Sequence, residues 1–209
     1  MMKNIRTTIL LLSVFSIATI SLFTACSNND SDNLLDETTI TQTDKNALLF
    51  MLEEEKLARD TYQYLDDLWS INQFANIKLS EQSHMNSIAL LLDSNNVSYT
   101  ILPSGEFTNQ DLQNFYNQFI INGSLDQVSA LIVGATIEDL DIVDLQNYID
   151  ATENTTIISV FESLQCGSRN HLRSFVSALQ VTASNYTPQF LTQEEYNLII
   201  NNSNEQCNK

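Results

Sequence analysis

Glycine and proline are scarce: the 209 residues contain four glycines and two prolines. A sheet of many short strands needs turn residues at frequent intervals, so this scarcity argues against an all-β fold and for long helices. Basic side chains are also few. Nine Lys and Arg stand against 26 Asp and Glu, for a net charge of -17. Such a surface repels nucleic acid and anionic lipid, which excludes both as electrostatic partners. No nucleophile triad, phosphate-binding loop or zinc-finger spacing occurs. Histidine occurs only twice, as His84 and His171.

What the chain does have begins with an address. Lys3 and Arg6 precede an apolar run, Ile9 to Phe23, that ends in small residues and Cys26. This pattern reads as a signal peptide over residues 1–25. LFTAC resembles the lipobox of bacterial lipoproteins, with Phe23 where Leu is usual, and implies lipidation of Cys26. An ordinary signal peptide and an uncleaved anchor helix are the alternatives. The expectation is an exported lipoprotein of the bacterial cell envelope, at the outer membrane and facing periplasm or surface. It would touch the membrane through its lipid anchor only. Residues 26–43 are rich in Asn, Asp, Ser and Thr and read as a disordered tether. Export places the two remaining thiols, Cys166 and Cys207, in an oxidising compartment, where a disulfide between them is one option and two free thiols the other.

The body, residues 44–202, is followed by a tail, 203–209. Apolar stripes at helical spacing predict long helices over about 44–69, 80–95, 124–151 and 155–182. Short ones follow over about 110–122 and from the TQEE capping signature at Thr192. SINQFANIKL, Ser70 to Leu79, reads as a connection, with Ser80 as the N-cap of the second long helix.

Each long helix carries polar side chains inside its apolar stripe: Glu55 on the first, Glu81 and His84 on the second, Glu138 and Asp141 on the third, His171 on the fourth. A buried carboxylate is costly unless paired or ligated, so four helices with the same feature point to mutual compensation. Iron or another divalent metal, in a centre of one or two ions, would supply it. Glu54 lies close enough in angle to compete with Glu55 for the inward position. The ferritin-like pattern uses one Glu from each of two helices and Glu-x-x-His from each of the other two. Here SEQSHM supplies one such pair, Glu81 and His84. SRNH departs from the pattern, with Ser168 where a Glu would precede His171. Asp141 could replace the missing carboxylate, water could fill the vacancy, or the site could hold one metal or none.

EEEKLARDTY, NIKLSEQSHM, GATIEDLDIVDL, GSRNHLRSF and NYTPQFLT, in that order, resemble the family called domain of unknown function 2202. EKLARDTY is also similar to the first helix of rubrerythrins. The resemblance covers about Ala47 to Ile200. It implies an all-α fold, a ferritin-like four-helix bundle with additional short helices, and makes the Ser before the last His a family trait. By analogy the function is metal binding within the bundle, with ferrous oxidation or peroxide or oxygen reduction as enzymatic variants. The alternative is a non-catalytic envelope protein whose buried polar residues form a hydrogen-bond network without metal.

Overall fold

The computed structural model describes residues 40–207. The signal peptide, the lipidation site Cys26 and the tether up to residue 39 lie outside the described residues. Within them the chain is all-helical, with no strand: α1 (Gln42–Trp69), α2 (Asn72–Ser94), α3 (Gln110–Gly123), α4 (Gln127–Ala151), α5 (Thr155–Val181) and α6 (Gln193–Asn201).

Side-chain caps set most helix starts. Thr41 and Asp44 form a capping box at α1, and Thr192 and Glu195 form another at α6. Asn109, Asp126 and Asn154 accept hydrogen bonds from the first-turn amides of α3, α4 and α5. Each cap satisfies amides that would otherwise lack a partner. The second long helix corrects the expectation. It begins at Asn72, so Ser80 is an interior residue, and the expected connection supplies its first two turns. α1 ends at Ser70, whose left-handed backbone (φ 51°) turns the chain directly into α2. Ile71 caps α2 without a side-chain bond. The start was masked because the local sequence offers no capping signal, while Phe74 and Ile77 already face the core.

α1 packs most extensively on α2 and α4 on α5, with further contacts between α1 and α4 and between α2 and α5. The apolar core falls into two clusters. One joins Leu57 to Leu65 of α1, Phe74 and Ile77 of α2, the first half of α4, and Leu172 to Leu179 of α5, with α3 and α6. The other joins Ala47 to Leu52, Met85 to Leu92, Leu145, and Ile157 to Leu164. α1 and α5 therefore run from the second cluster to the first, and α2 and α4 run the opposite way. Because α2 and α4 share a direction, the chain must return the full length of the bundle between them, and the segment containing α3 makes that crossover.

α4 is the central helix. Every residue from Val133 to Ile142 is buried. Asp139 is fully buried and holds the segment after α5, accepting from the Tyr186 hydroxyl and the amides of Gln189, Phe190 and Leu191. Lys56 is likewise buried, pairing with Asp60 and donating to the carbonyls of Pro103 and Glu106, which fixes the crossover against α1. Trp69, the single tryptophan, donates its indole N–H to the Gly123 carbonyl and ties the end of α1 to the end of α3.

Candidate metal centre

The two apolar clusters leave a polar layer between them, and every candidate ligand falls in it. Glu55 precedes Leu57 on α1; Glu81 and His84 lie between Ile77 and Met85 on α2; Glu138 and Asp141 follow Ile137 on α4; Ser168 and His171 lie between Leu164 and Leu172 on α5. Glu55, Glu81 and Glu138 are no more than 2% exposed.

The side chains form a continuous sequence of contacts. Glu55 Oε2 lies 3.1 Å from His84 Nδ1, and His84 Nδ1 lies 2.8 Å from Glu81 Oε2. Glu81 Oε1 lies 2.9 Å from His171 Nδ1, which lies 3.4 Å from Glu138 Oε2. Glu81 thus presents one oxygen to each ring. Two groups result, Glu55–Glu81–His84 and Glu81–Glu138–His171, each with one ligand atom per residue within 4.8 Å of the others. Ligands at right angles on an ion with bonds of about 2.1 Å stand about 3.0 Å apart, so these separations suit a shared cation. The contact of Glu81 Oε1 with His171 Nδ1 is short, yet neither atom has a partner in hydrogen-bond geometry. Close lone pairs that do not aim at each other fit a common third point.

Electrostatics in the metal-free protein push the layer towards protonation. Burial raises the Glu55 carboxyl to about 8 against the pull of His84. Burial also raises Glu138 and, with nearby acids, raises Glu54 and Asp141 well above the usual range. Burial disfavours charge on both rings, but Glu55 and Glu81 lift His84 well up, and Glu81 and Glu138 lift His171 to about 10. Burial likewise opposes charge on Glu81, but the two rings outweigh it and hold that carboxyl low. A polar layer that keeps protons when empty releases them to a metal ion.

Neighbouring groups orient the layer. The Tyr62 hydroxyl donates to Glu138 Oε1 at 2.6 Å. Ser168 donates to Asp141 Oδ2, so Asp141 faces the residue that departs from the Glu-x-x-His pattern and belongs to neither three-residue group. Gly167 backs onto His84: a Cβ there would come within 2.8 Å of His84 Nε2. One of four glycines in the middle of a helix was the available sequence signal for that contact. Gly134 plays a packing role, since a Cβ there would meet Phe175. Arg169 and Arg173 turn away from the layer and pair with Glu205 in the tail. Cys166 and Cys207 form a disulfide with a Cα–Cα distance of 5.4 Å. Glu54 is as buried as Glu55 but touches neither histidine.

The family description "Uncharacterized protein domain (DUF2202)" matches residues 44–203, the whole helical body. The chain belongs to this family. Its similarity extends to the uncharacterized protein MJ0754 of Methanocaldococcus jannaschii, with 45% identity over 168 residues, 79% of this chain and 91% of the relative. The crystal structure of hypothetical protein MJ0754 from Methanococcus jannaschii is similar with a TM-score of 0.78, covering 79% of this chain and 96% of that one. This member of the DUF2202 family therefore shares its fold with a solved archaeal protein.

Proposed function

We propose that this protein is a ferritin-like metal-binding protein holding two divalent ions of the iron type between α1, α2, α4 and α5. The observation that carries the reading is Glu81, whose two oxygens each meet one imidazole, each ring in turn facing one further carboxylate. Glu55, Glu81 and His84 would hold one ion, and Glu81, Glu138 and His171 the other. The two shared directions of the helices, with one long crossover between α2 and α4, support the ferritin-like assignment.

A ferrous pair, when bound, would supply the two electrons that reduce one peroxide to two waters with two protons taken up. In that reaction the chain's own residues have separate tasks. The carboxylates offset the charge of the ions, the imidazoles supply neutral nitrogen donors, and Tyr62 fixes Glu138 through its hydroxyl. The apolar clusters above and below the layer keep bulk water from it. The lipobox-like N-terminus supports a location in the cell envelope, and the Cys166–Cys207 disulfide suits an oxidising compartment.

Anaerobic loading of the purified, untagged protein with ferrous iron, followed by metal analysis, tests the proposal. The expected result is about two equivalents per chain, lost in the variant carrying His84→Ala and His171→Ala. Binding below about a tenth of an equivalent, unchanged in that variant, overturns it in favour of a metal-free hydrogen-bond network. Optical bands that develop on exposure to oxygen or peroxide distinguish a redox-active centre from a passive one.

A further inference from the structure

The Cys166–Cys207 bridge stands next to the ligand layer. Cys166 directly precedes Gly167, and no side chain separates Gly167 from the His84 ring. Both cysteines also line a cavity of about 620 Å³ between α2, α5 and the tail. Ser87, one turn beyond His84, gives it a polar wall together with Ser159, Glu162 and Ser163 of α5 and Gln206 of the tail. Cys166 is 7% exposed and Cys207 is half-buried, so a reagent in the cavity meets Cys207 first. Other bonds hold the tail in place besides the bridge. Ser163 donates to the Cys207 carbonyl, and Asn170 donates to the Glu205 carbonyl and, at 3.3 Å, to Cys207 Sγ. Arg169 and Arg173 pair with the Glu205 carboxylate. If the bridge opened, the two thiols would stay within reach of each other, and the Asn170 donor would stabilise a Cys207 thiolate.

We propose that Cys166 and Cys207 are a redox pair that delivers electrons to the layer and is recharged from the cavity by a small polar thiol. This rests on the metal centre proposed above. The balance closes: two thiols that form the bridge release two electrons and two protons, the amounts that reduce one further peroxide to two waters. The route inward is short, from Cys166 through the Gly167 backbone to the His84 ring. Recharging is thiol–disulfide exchange. An incoming thiolate bonds to Cys207 Sγ as the Cys166–Cys207 bond breaks, and Cys166 leaves as a thiolate. A second thiolate attacks the bound small sulfur, the two small thiols depart as their own disulfide, and Cys207 leaves as a thiolate beside Asn170. The two protons given up by the incoming thiols pass to Cys166 and Cys207.

The probe thiol is 2-mercaptoethanol, and alkylation followed by peptide mass analysis reports the state of each cysteine. In the metal-free wild-type protein the probe should open the bridge while the helices stay folded by circular dichroism. A bridge that opens only on denaturation is a structural staple and overturns the proposal. The reduced and the bridged protein are then loaded anaerobically with ferrous iron, their iron content is measured, and peroxide is added. The bridged protein should consume about one peroxide per chain and the reduced protein about two, with Cys166 and Cys207 recovered as the bridge. Without iron, and in the His84→Ala/His171→Ala variant, peroxide should form the bridge at least tenfold more slowly. Equal rates with and without bound iron overturn the redox pair and leave the metal centre standing. Absence of iron from both protein states overturns the metal centre, and the redox pair with it.

Discussion

The rings of His84 and His171 lie 5.7 Å apart, centroid to centroid, inclined by 25°, and Glu81 reaches both. One carboxylate therefore couples the two halves of the layer. Glu81→Ala should abolish high-affinity binding of both ions, whereas Glu55→Ala and Glu138→Ala should each remove one. Anaerobic ferrous titration by calorimetry reads the difference as a change in stoichiometry. Equal losses in all three variants would contradict the shared-ligand arrangement.

Stability should fall as pH rises in the metal-free protein. Glu55 holds its proton to about 8 when folded, against 4.5 in the unfolded chain, because burial disfavours its charge. His171, which burial opposes but Glu81 and Glu138 favour as a cation, holds its proton to about 10, against 6.5. In both cases the folded state binds more protons between the two values, so each contribution is full below the unfolded value and is lost as pH climbs to the folded one. Both histidines of the chain, His84 and His171, lie in this layer, so the interval from pH 6 to 9 reports chiefly on it. The melting temperature of the metal-free protein should drop across it by on the order of 5 °C. The metal-loaded protein, its protons already displaced, should show a much flatter profile in the same scan.

Gly167→Ala should act on one ion position and spare the other. The new methyl would stand 2.8 Å from His84 Nε2, forcing the ring out of its place. Displacement costs about 1–3 kcal/mol of stability and should lower affinity at the Glu55–Glu81–His84 position at least tenfold. The Glu81–Glu138–His171 position should be much less affected. A calorimetric titration that resolves two classes of site checks this.

Reduction of the disulfide should loosen the tail more than the metal layer. The bridge joins residues 41 positions apart, for which loop closure predicts up to about 4 kcal/mol. Cys166→Ser with Cys207→Ser should lower the melting temperature by roughly 10 °C. Without the bridge, Glu205 keeps its pairs with Arg169 and Arg173, but these are partly exposed and contribute less. Hydrogen exchange should show the gain in mobility after Asn202, with little change in the amides near Glu81.

Much of this architecture was legible because the helical stripes contained acids where apolar residues belonged. Glu55, Glu81, Glu138 and the two histidines break otherwise apolar faces, and those same side chains converge. The start of α2 was not legible, because its first turns look like a polar linker and its cap is a bare isoleucine. The burial of Glu54 was only half legible: periodicity put Glu54 and Glu55 in competition for one inward direction, whereas the packed α4 covers both. Neither the clamp at Asp139 nor the Ser168–Asp141 bond has a local sequence signal, since both depend on segments distant in the chain.

The position of Trp69 has a practical consequence. It lies fourteen residues beyond Glu55 on the same helix, about 21 Å along the axis, and its indole is fixed to Gly123 at the far end of the bundle. Its fluorescence is thus a beacon for the seam between α1 and α3, set apart from the ligand layer. Emission that shifts on denaturation but stays constant on ion loading would give the protein a built-in gauge of global folding, independent of whatever happens at Glu81.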